Sequence, residues 1–298
     1  QYDVTANAAL WKFAAAMESM LTPANNKWHR LRHPDQNLMR RRDVQLWFDQ
    51  VNDSMFYYRY AAQSGYQANQ HDGYVSLGAF GTSCLFTDEF NNPLDPRMKG
   101  LRYRNVHLGE LFFAANFQGQ VDTVYRRFKM TLRQINQKWP GAMGDRFQSQ
   151  LKDKPETEVQ IVHVVKPNPE YNPKRIDSKS YRYASYYILR EGVMLLHQGG
   201  YRCMPYAIAR YLTAPGELYG RSPAMNVLPA ISVLNEEKKT LIKQGHRIVD
   251  PVLLAHDDGI LDGFSLKPGA INYGGVSAEG RPLVHPLPVG NPMIGKEL

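Results

Sequence analysis

The sequence contains no apolar run long enough to cross a membrane, which would need about 18 consecutive apolar residues. It also does not begin with a charged segment followed by an apolar stretch and a cleavage site, so we expect no signal peptide. Cysteine is scarce, and its two copies, Cys84 and Cys203, lie far apart in unrelated surroundings. We therefore predict buried reduced thiols, consistent with a reducing cytoplasm, and no disulfide framework.

Motifs of nucleotide and metal chemistry are missing as well. The sequence has no G-x-x-x-x-G-K-[ST] motif, so we expect no P-loop and do not expect the chain to be an ATP-driven motor. His29 and His33 have the spacing of metal ligands, but no cysteine or carboxylate cluster supplies further ligands at a recognisable spacing. We therefore predict neither a metal site nor a cofactor.

The nearest approach to a catalytic motif fails on chemical grounds. Residues 220–224 (GRSPA) approximate the G-x-S-x-G elbow of serine hydrolases, and Asp257, Asp258 and His285 follow in the hydrolase order. In that elbow the amide of the residue after the nucleophile helps to hold the oxyanion, but Pro223 has no N–H. Because losing one such donor costs about 3 kcal/mol of transition-state stabilisation, we predict that the protein is not an enzyme.

The composition is that of a globular protein with an excess of positive charge. The chain has 298 residues, of which 43% are hydrophobic, and this is sufficient for a substantial core. The formal net charge is +8, which is compatible with binding to a polyanion but does not establish it.

Helical and strand patterns are mixed along the chain. Helices are predicted over residues 5–21, 44–62 and 131–139. Strands are predicted over residues 74–86, 111–116, 123–130 and 158–165, with a hairpin over 181–197 that turns at Glu191-Gly192. Because these elements do not alternate as regular βαβ units, we predict an α+β fold.

The most informative pattern is one long amphipathic helix. Ser222 can cap its first amides, and Pro223 suits the first helical position because its missing N–H would have had no partner. Apolar residues then recur every three or four positions and form one stripe: Val227, Leu228, Ile231, Leu234, Leu241 and Ile242. Gly245 and then Asp250-Pro251 are expected to end the helix, and Pro229 to bend it or leave one carbonyl unpaired. An ordinary core helix with one solvated face has the same pattern.

The residues at the start of this helix resemble a known family. The run Tyr219-Gly220-Arg221-Ser222-Pro223, followed by Asp250-Pro251, is similar to the portal, or head-to-tail connector, proteins of short-tailed bacteriophages. Tyr2-Asp3, residues 20–23, residues 78–82 and Pro205 with Arg210 add weaker similarity, so the resemblance covers nearly the whole chain.

The resemblance implies a portal-like architecture. Residues 1–220 would form a wing of mixed helices and strands, residues 221–247 the long stem helix, and residues 248–298 a small β-rich clip of short strands and Gly/Pro-rich loops. The second stem helix and the crown of the family have no counterpart in this sequence, which begins with Gln1. We therefore expect the chain to be a portion or processed form of a longer protein.

The resemblance also implies a structural role. Such a subunit would belong to a dodecameric ring at one capsid vertex, through which double-stranded DNA is packaged and ejected. The implied partners are identical copies, the passing DNA, the terminase large subunit, tail adaptor proteins, and the major capsid and scaffolding proteins, with no membrane. The protein would lie in the virion and, during assembly, in the host cytoplasm.

Candidate site residues follow from this implied role. A DNA conduit should have a nearly neutral or mildly acidic bore, because many repeated lysines would grip the phosphates. The candidates for the channel lining are the mixed charges of the stem helix: Glu236, Glu237, Lys238, Lys239 and Lys243. These residues would equally suit solvated i,i+4 partners at a subunit contact. The candidates for partner docking on the clip are Asp257, Asp258, Lys267 and Arg281.

A basic cluster near the start of the chain supports an alternative function. The cluster surrounds Trp28 and contains Lys27, Arg30, Arg32, Arg40, Arg41 and Arg42. Basic residues beside an aromatic ring can contact phosphates or single strands, so the alternative is a small-oligomer DNA-binding module that uses residues 27–42. A solvated or intersubunit surface has the same composition.

Overall fold

A computed structural model describes residues 2–91, 99–175, 177–249, 253–255, 276 and 278–286. The chain divides into two compact units. The larger unit, called the body below, comprises residues 7–226, and the smaller unit comprises residues 1–6 and 227–298. Helices and antiparallel sheets occur together, which confirms the predicted α+β class.

Four helices precede the first strand. They are α1 (Thr5–Leu21), α2 (Gln36–Met39), α3 (Arg42–Tyr60) and α4 (Tyr66–Phe80), so the helices predicted over 5–21 and 44–62 are confirmed. Gly78 allows α4 to approach α1 closely, since a Cβ at this position would lie 2.7 Å from Leu10 Cδ1 and 2.8 Å from Phe13 Cδ1.

The strand predicted over residues 74–86 is wrong in its first half. Residues up to Phe80 belong to α4, and strand β1 begins only at Thr82. Tyr74 and Leu77 are buried together with small residues on other sides of α4, so this helix lacks the polar face that would have revealed its period. The backbone changes at Gly81, whose φ of 73° ends the helix in the left-handed conformation that favours glycine.

The described part of the body contains two antiparallel sheets. The three-stranded sheet has the order β2-β1-β8 and consists of β1 (Thr82–Asn91), β2 (Lys99–Asn105) and β8 (Tyr206–Arg210). The five-stranded sheet follows the chain order and consists of β3 (Leu111–Ala115), β4 (Val121–Thr131), β5 (Glu158–Pro167), β6 (Tyr183–Leu189) and β7 (Met194–Tyr201). The other predicted strands and the hairpin are thus confirmed.

Two helices cover the five-stranded sheet. They are α5 (Leu132–Lys138), which confirms the third predicted helix, and α6 (Asp145–Asp153). A capping box starts α5, because Thr131 Oγ1 accepts from the Gln134 amide and Gln134 Oε1 accepts from the Thr131 amide. The helices and the sheet enclose one apolar cluster: Leu132, Ile135, Met143, Phe147, Val159, Ile161, Tyr187, Leu189 and Leu196.

A second apolar cluster joins the two sheets of the body. It takes residues from β1 and β8 on one side and from β3, β4 and β5 on the other. Its buried members are Cys84, Phe86, Val106, Leu111, Phe113, Val124, Val165 and Tyr206. Cys84 is therefore buried as predicted, whereas the prediction for Cys203 is wrong: this thiol is exposed, since it lies in the loop between β7 and β8.

The remaining elements are α7 (Pro223–Val249), β9 (Leu253–Ala255) and β10 (Val284–Pro286), and the two strands pair antiparallel. The start of α7 at Pro223 confirms the prediction. The predicted end at Gly245 is wrong, because Gly245 stays helical at a cost of about 1 kcal/mol relative to alanine. Asp250 and Pro251 lie outside the described residues. Among the helices described, none combines the length and apolar character of a membrane span.

Candidate functional site

The junction that leads into α7 depends on a contact between two glycines. Gly220 donates its amide hydrogen to Thr82 Oγ1 at 2.8 Å, and its backbone passes directly over Gly81. A Cβ at Gly220 would lie 2.1 Å from the carbonyl oxygen of Gly81, and a Cβ at Gly81 would lie 2.4 Å from the carbonyl carbon of Arg221. Both positions therefore require glycine. Their close contact joins the family motif of residues 219–223 to the start of β1.

The residues on either side of Gly220 fix the same junction. Arg221 forms an isolated β-bridge with Leu212, with its amide donating to the Leu212 carbonyl at 2.7 Å. Its guanidinium pairs with Glu217, whose pKa is lowered by this hydrogen bond. The Tyr219 ring packs against Phe113, with the ring centroids 4.3 Å apart. The motif seen in the sequence is thus an anchoring segment of the body.

Ser222 acts as the N-cap of α7. Its side chain is fully buried, and Oγ accepts a hydrogen bond from the Met225 amide at 3.0 Å. Pro223 follows as the first helical residue. A capped and buried hydroxyl followed by a proline is not an exposed nucleophile, so this geometry argues against the hydrolase motif.

Helix α7 is long and has no buried residue. Its 27 residues span about 40 Å. Pro229 lies inside the helix, where it removes the amide that would bond the Met225 carbonyl. Seven large apolar side chains are between 43% and 86% exposed: Met225, Val227, Leu228, Val233, Ile242, Ile248 and Val249. Exposure of this extent along a single helix is typical of a surface that another protein covers.

The five channel candidates do not share one face of α7. Because each residue turns the helix by about 100°, Glu236, Lys239 and Lys243 lie on one side, whereas Glu237 projects about 100° and Lys238 about 160° away from Glu236. Lys239 Nζ donates to both carboxylate oxygens of Glu236 at 2.9 Å, and this hydrogen bond raises the pKa of Lys239. The shared face therefore carries a partly neutralised mixture of charges.

Most clip candidates fall outside the described residues, namely Asp257, Asp258 and Lys267. Arg281 is described and exposed, and its Nε lies 4.0 Å from Glu279 Oε2. The structure thus gives the setting of one docking candidate only.

The basic cluster of residues 27–42 is partly neutralised. Lys27 pairs with Asp53, Arg30 with Asp49 and Arg41 with Asp43. Trp28 is also engaged: its Nε1 donates to the Tyr60 hydroxyl at 2.9 Å, and the Arg59 guanidinium lies 4.8 Å from its ring centroid. These contacts hold the segment against α3 and leave fewer free cations for phosphate than the sequence suggested.

The described part of the chain contains no group of three or more His, Cys, Asp or Glu side chains placed to hold a metal ion. His29, one of the two histidines with metal-ligand spacing, has its Nε2 against Arg59 Nη1, and its ring contacts Phe56 edge-on at a centroid distance of 4.6 Å. Its surroundings are those of a packed side chain.

Comparison with known proteins decides the family. Residues 1–295 match the family described as bacteriophage head to tail connecting protein. The chain belongs to this family. Relatives of this connector chain include a "Probable portal protein" of Bordetella phage BPP-1, 26% identical over 276 residues, and a "Portal protein" of Salmonella phage epsilon15, 26% identical over 279 residues. Each match covers 91% of this chain and 48% of the relative, so the chain spans about half the length of the curated portal proteins it matches. The family is structural, in agreement with the predicted class of protein.

The sequence indicates the connector motif but not the residues that contact it in the folded chain. Gly81 and Thr82 belong only to the weak similarity of residues 78–82. Nothing in the sequence indicates that they contact Gly220, since Thr82 and Gly220 are 138 residues apart. The glycines themselves are the one available signal, and most loops contain glycine as well.

Proposed function

We propose that this connector chain is part of a portal subunit whose copies form a ring, with α7 in the wall of a channel for double-stranded DNA. The observation that supports this most is the exposure of α7, a 27-residue helix without a buried residue. Each half-exposed apolar side chain gains on the order of 1 kcal/mol when a neighbour covers it. A ring of parallel copies supplies that cover for every subunit by one repeated contact.

The two faces of α7 suit different surroundings. Apolar residues occupy one side, including Val227, Ile231 and Ile242, and in the proposed ring they contact protein. Glu236, Lys239 and Lys243 occupy the other side and face the bore. The pairing of Glu236 with Lys239 reduces the net positive charge that the DNA would meet, so the wall guides the duplex without gripping its phosphates. Glu237 then flanks the bore at the contact between copies, whereas Lys238 lies on the apolar side of the helix.

The remaining assignments follow the family architecture. In this proposal residues 1–220 form the wing, residues 221–247 the stem helix and residues 248–298 the clip. The ring is a dodecamer at one capsid vertex of the virion, assembled in the host cytoplasm with the major capsid and scaffolding proteins. The clip docks the terminase large subunit during packaging and tail adaptor proteins afterwards, through Asp257, Asp258, Lys267 and Arg281.

The test is the mass of the full-length protein in solution, measured by light scattering. The wild type should form a large cyclic assembly. Val227→Asp and Ile242→Asp place a charge in the apolar stripe and should shift the mass to small species, whereas Thr240→Asp adds the same charge on the polar side and should leave the assembly intact. A wild-type protein that stays small and binds DNA with a steep salt dependence would instead support the module of residues 27–42.

A further inference from the structure

A large cleft lies in the body between the two sheets. Its volume is about 1090 Å³, and its walls come from β1 and β2 on one side and from β4 to β7 with α5 on the other. One row of residues crosses its floor, since Arg126, His163, Tyr187 and His197 lie directly opposite one another on four neighbouring strands. All of these residues belong to the body, so the cleft does not depend on ring formation.

Five cations line the cleft, but three of them already have carboxylate partners. Arg102 lies 3.6 Å from Asp88, Arg126 lies 2.9 Å from Glu110, and Lys129 lies 3.0 Å from Glu158. The other two cations are Arg104 and Lys138, for which the described residues provide no ion pair. The cleft therefore holds two cations without an ion pair among the described residues, together with one carboxylate, Glu89, that also has none there.

The two cations differ from ordinary surface residues in their surroundings. Both remain accessible to solvent, yet the cleft walls partly desolvate them and thereby lower their pKa values. Lys138 Nζ also lies 4.7 Å from the ring centroid of Trp139 and 4.6 Å from that of Tyr187. Partly desolvated cations bind an anion more strongly than solvated ones, because the anion competes with less water.

The floor of the cleft consists of packed aromatic rings beside Arg126, whose charge is paired with Glu110. His163 is buried, and its ring stacks on Tyr187 with centroids 3.9 Å apart. Its two nitrogens contact the Tyr206 hydroxyl at 2.6 Å and the Ser185 hydroxyl at 2.9 Å, and burial lowers its pKa to about 3. The imidazole is therefore neutral, and the cleft combines two cations that lack an ion pair among the described residues with a floor that His163 leaves uncharged at neutral pH.

The distribution of charge favours a peptide over a nucleic acid. Asp88 and Glu89 line the same cleft, and a phosphate backbone with a charge at every nucleotide would be repelled by them. A peptide can place its carboxylates opposite Arg104 and Lys138 only and can lay an apolar or aromatic side chain against Trp139, which lines the cleft and is partly exposed. We propose that this cleft binds an acidic peptide segment of a protein partner, with two carboxylates and one aromatic side chain as the recognised groups.

The proposal is tested by calorimetry with the purified full-length protein and a short peptide of glutamates around one phenylalanine. The peptide should bind, and its glutamine counterpart should not. Lys138→Gln and Arg104→Gln should each weaken binding by about tenfold or more, as expected for the loss of one charge-assisted hydrogen bond. Lys152→Gln, which removes the same charge from exposed α6 outside the cleft, should change binding by less than about twofold.

A conservative variant distinguishes loss of charge from loss of folding: Lys138→Arg should restore most of the affinity. The proposal is overturned if the glutamate peptide does not bind, or if the glutamine substitutions at 104 and 138 have no more effect than the one at 152. Tighter binding of a single-stranded oligodeoxythymidylate would assign the cleft to nucleic acid, and full competition by inorganic phosphate would reduce it to a site for free anions.

Discussion

The junction at residues 219–222 and helix α7, which follows it, differ in how far their side chains and backbone are covered by the rest of the chain. The junction is anchored within the body by a glycine crossing, a β-bridge and a buried cap. Helix α7 has no buried residue and exposes seven large apolar side chains. The body is thus stabilised by its own contacts, whereas in the proposed ring α7 is stabilised by contacts between copies.

Substitution of glycine by alanine should give the largest difference between the two regions. Gly220→Ala should lower the free energy of unfolding by about 3 kcal/mol or more, because the new Cβ overlaps the Gly81 carbonyl. Gly245→Ala in α7 meets no neighbouring atom and should stabilise the helix by about 1 kcal/mol. Urea unfolding of the two variants measures both effects, and equal effects of the same sign would contradict the comparison.

Removal of one carboxylate from an ion pair should also change the free energy of unfolding by different amounts in the two regions. Arg126 has a side chain only 5% exposed, so Glu110→Gln leaves its charge without a partner and should cost about 2 kcal/mol of unfolding free energy. Glu236→Gln breaks an exposed pair on α7 and should have no measurable effect on stability. Thermal unfolding of the two variants side by side checks this, and a large loss in the α7 variant would show that the pair is buried.

Acid should weaken the body through His163. The unfolded imidazole binds a proton near its ordinary pKa of 6.5, whereas burial lowers the folded pKa to about 3. Stability is therefore complete above pH 6.5 and is lost as the pH falls toward 3, by up to about 1.4 kcal/mol per pH unit. His163→Gln should flatten the stability profile between pH 6.5 and 4. An unchanged slope would mean that the imidazole is protonated in the folded state.

Removal of the N-cap of α7 should give the smallest of these losses of stability. Ser222→Ala removes the acceptor of the Met225 amide and should cost about 1 kcal/mol. Ser232→Ala changes an exposed serine inside the same helix and should be neutral or slightly stabilising. Helical circular dichroism during thermal unfolding measures both, and equal behaviour of the two serines would contradict the assigned role of Ser222.

The sequence was informative wherever local chemistry determines structure. The start of α7 at Ser222-Pro223 was predicted because a capping side chain and its helix are neighbours in sequence. The period of α4 was misread because its burial on several sides removes the polar face on which such predictions depend. Gly245 was read as a stop because a helical glycine and a terminal glycine cannot be distinguished without φ.

The candidate site was predicted less completely than the fold. The mixed charges of α7 were found, but only three of the five proposed channel residues share a face, and this follows from counting helical turns. The contact between Gly81 and Gly220, and the cleft lined by Arg104 and Lys138, join segments far apart in the chain. Such sites depend on tertiary packing, which a single sequence does not specify locally.

Hydrogen exchange of residues 227–249 tests the central claim most directly, when compared between the assembled full-length protein and subunits dispersed by dilution. The account predicts that amides of α7 become strongly protected on assembly, while those of β4, β5 and β6 are protected equally in both states. Equal protection of α7 in dispersed and assembled protein would mean that the subunit covers this helix by itself, and would contradict its role in the wall of a ring.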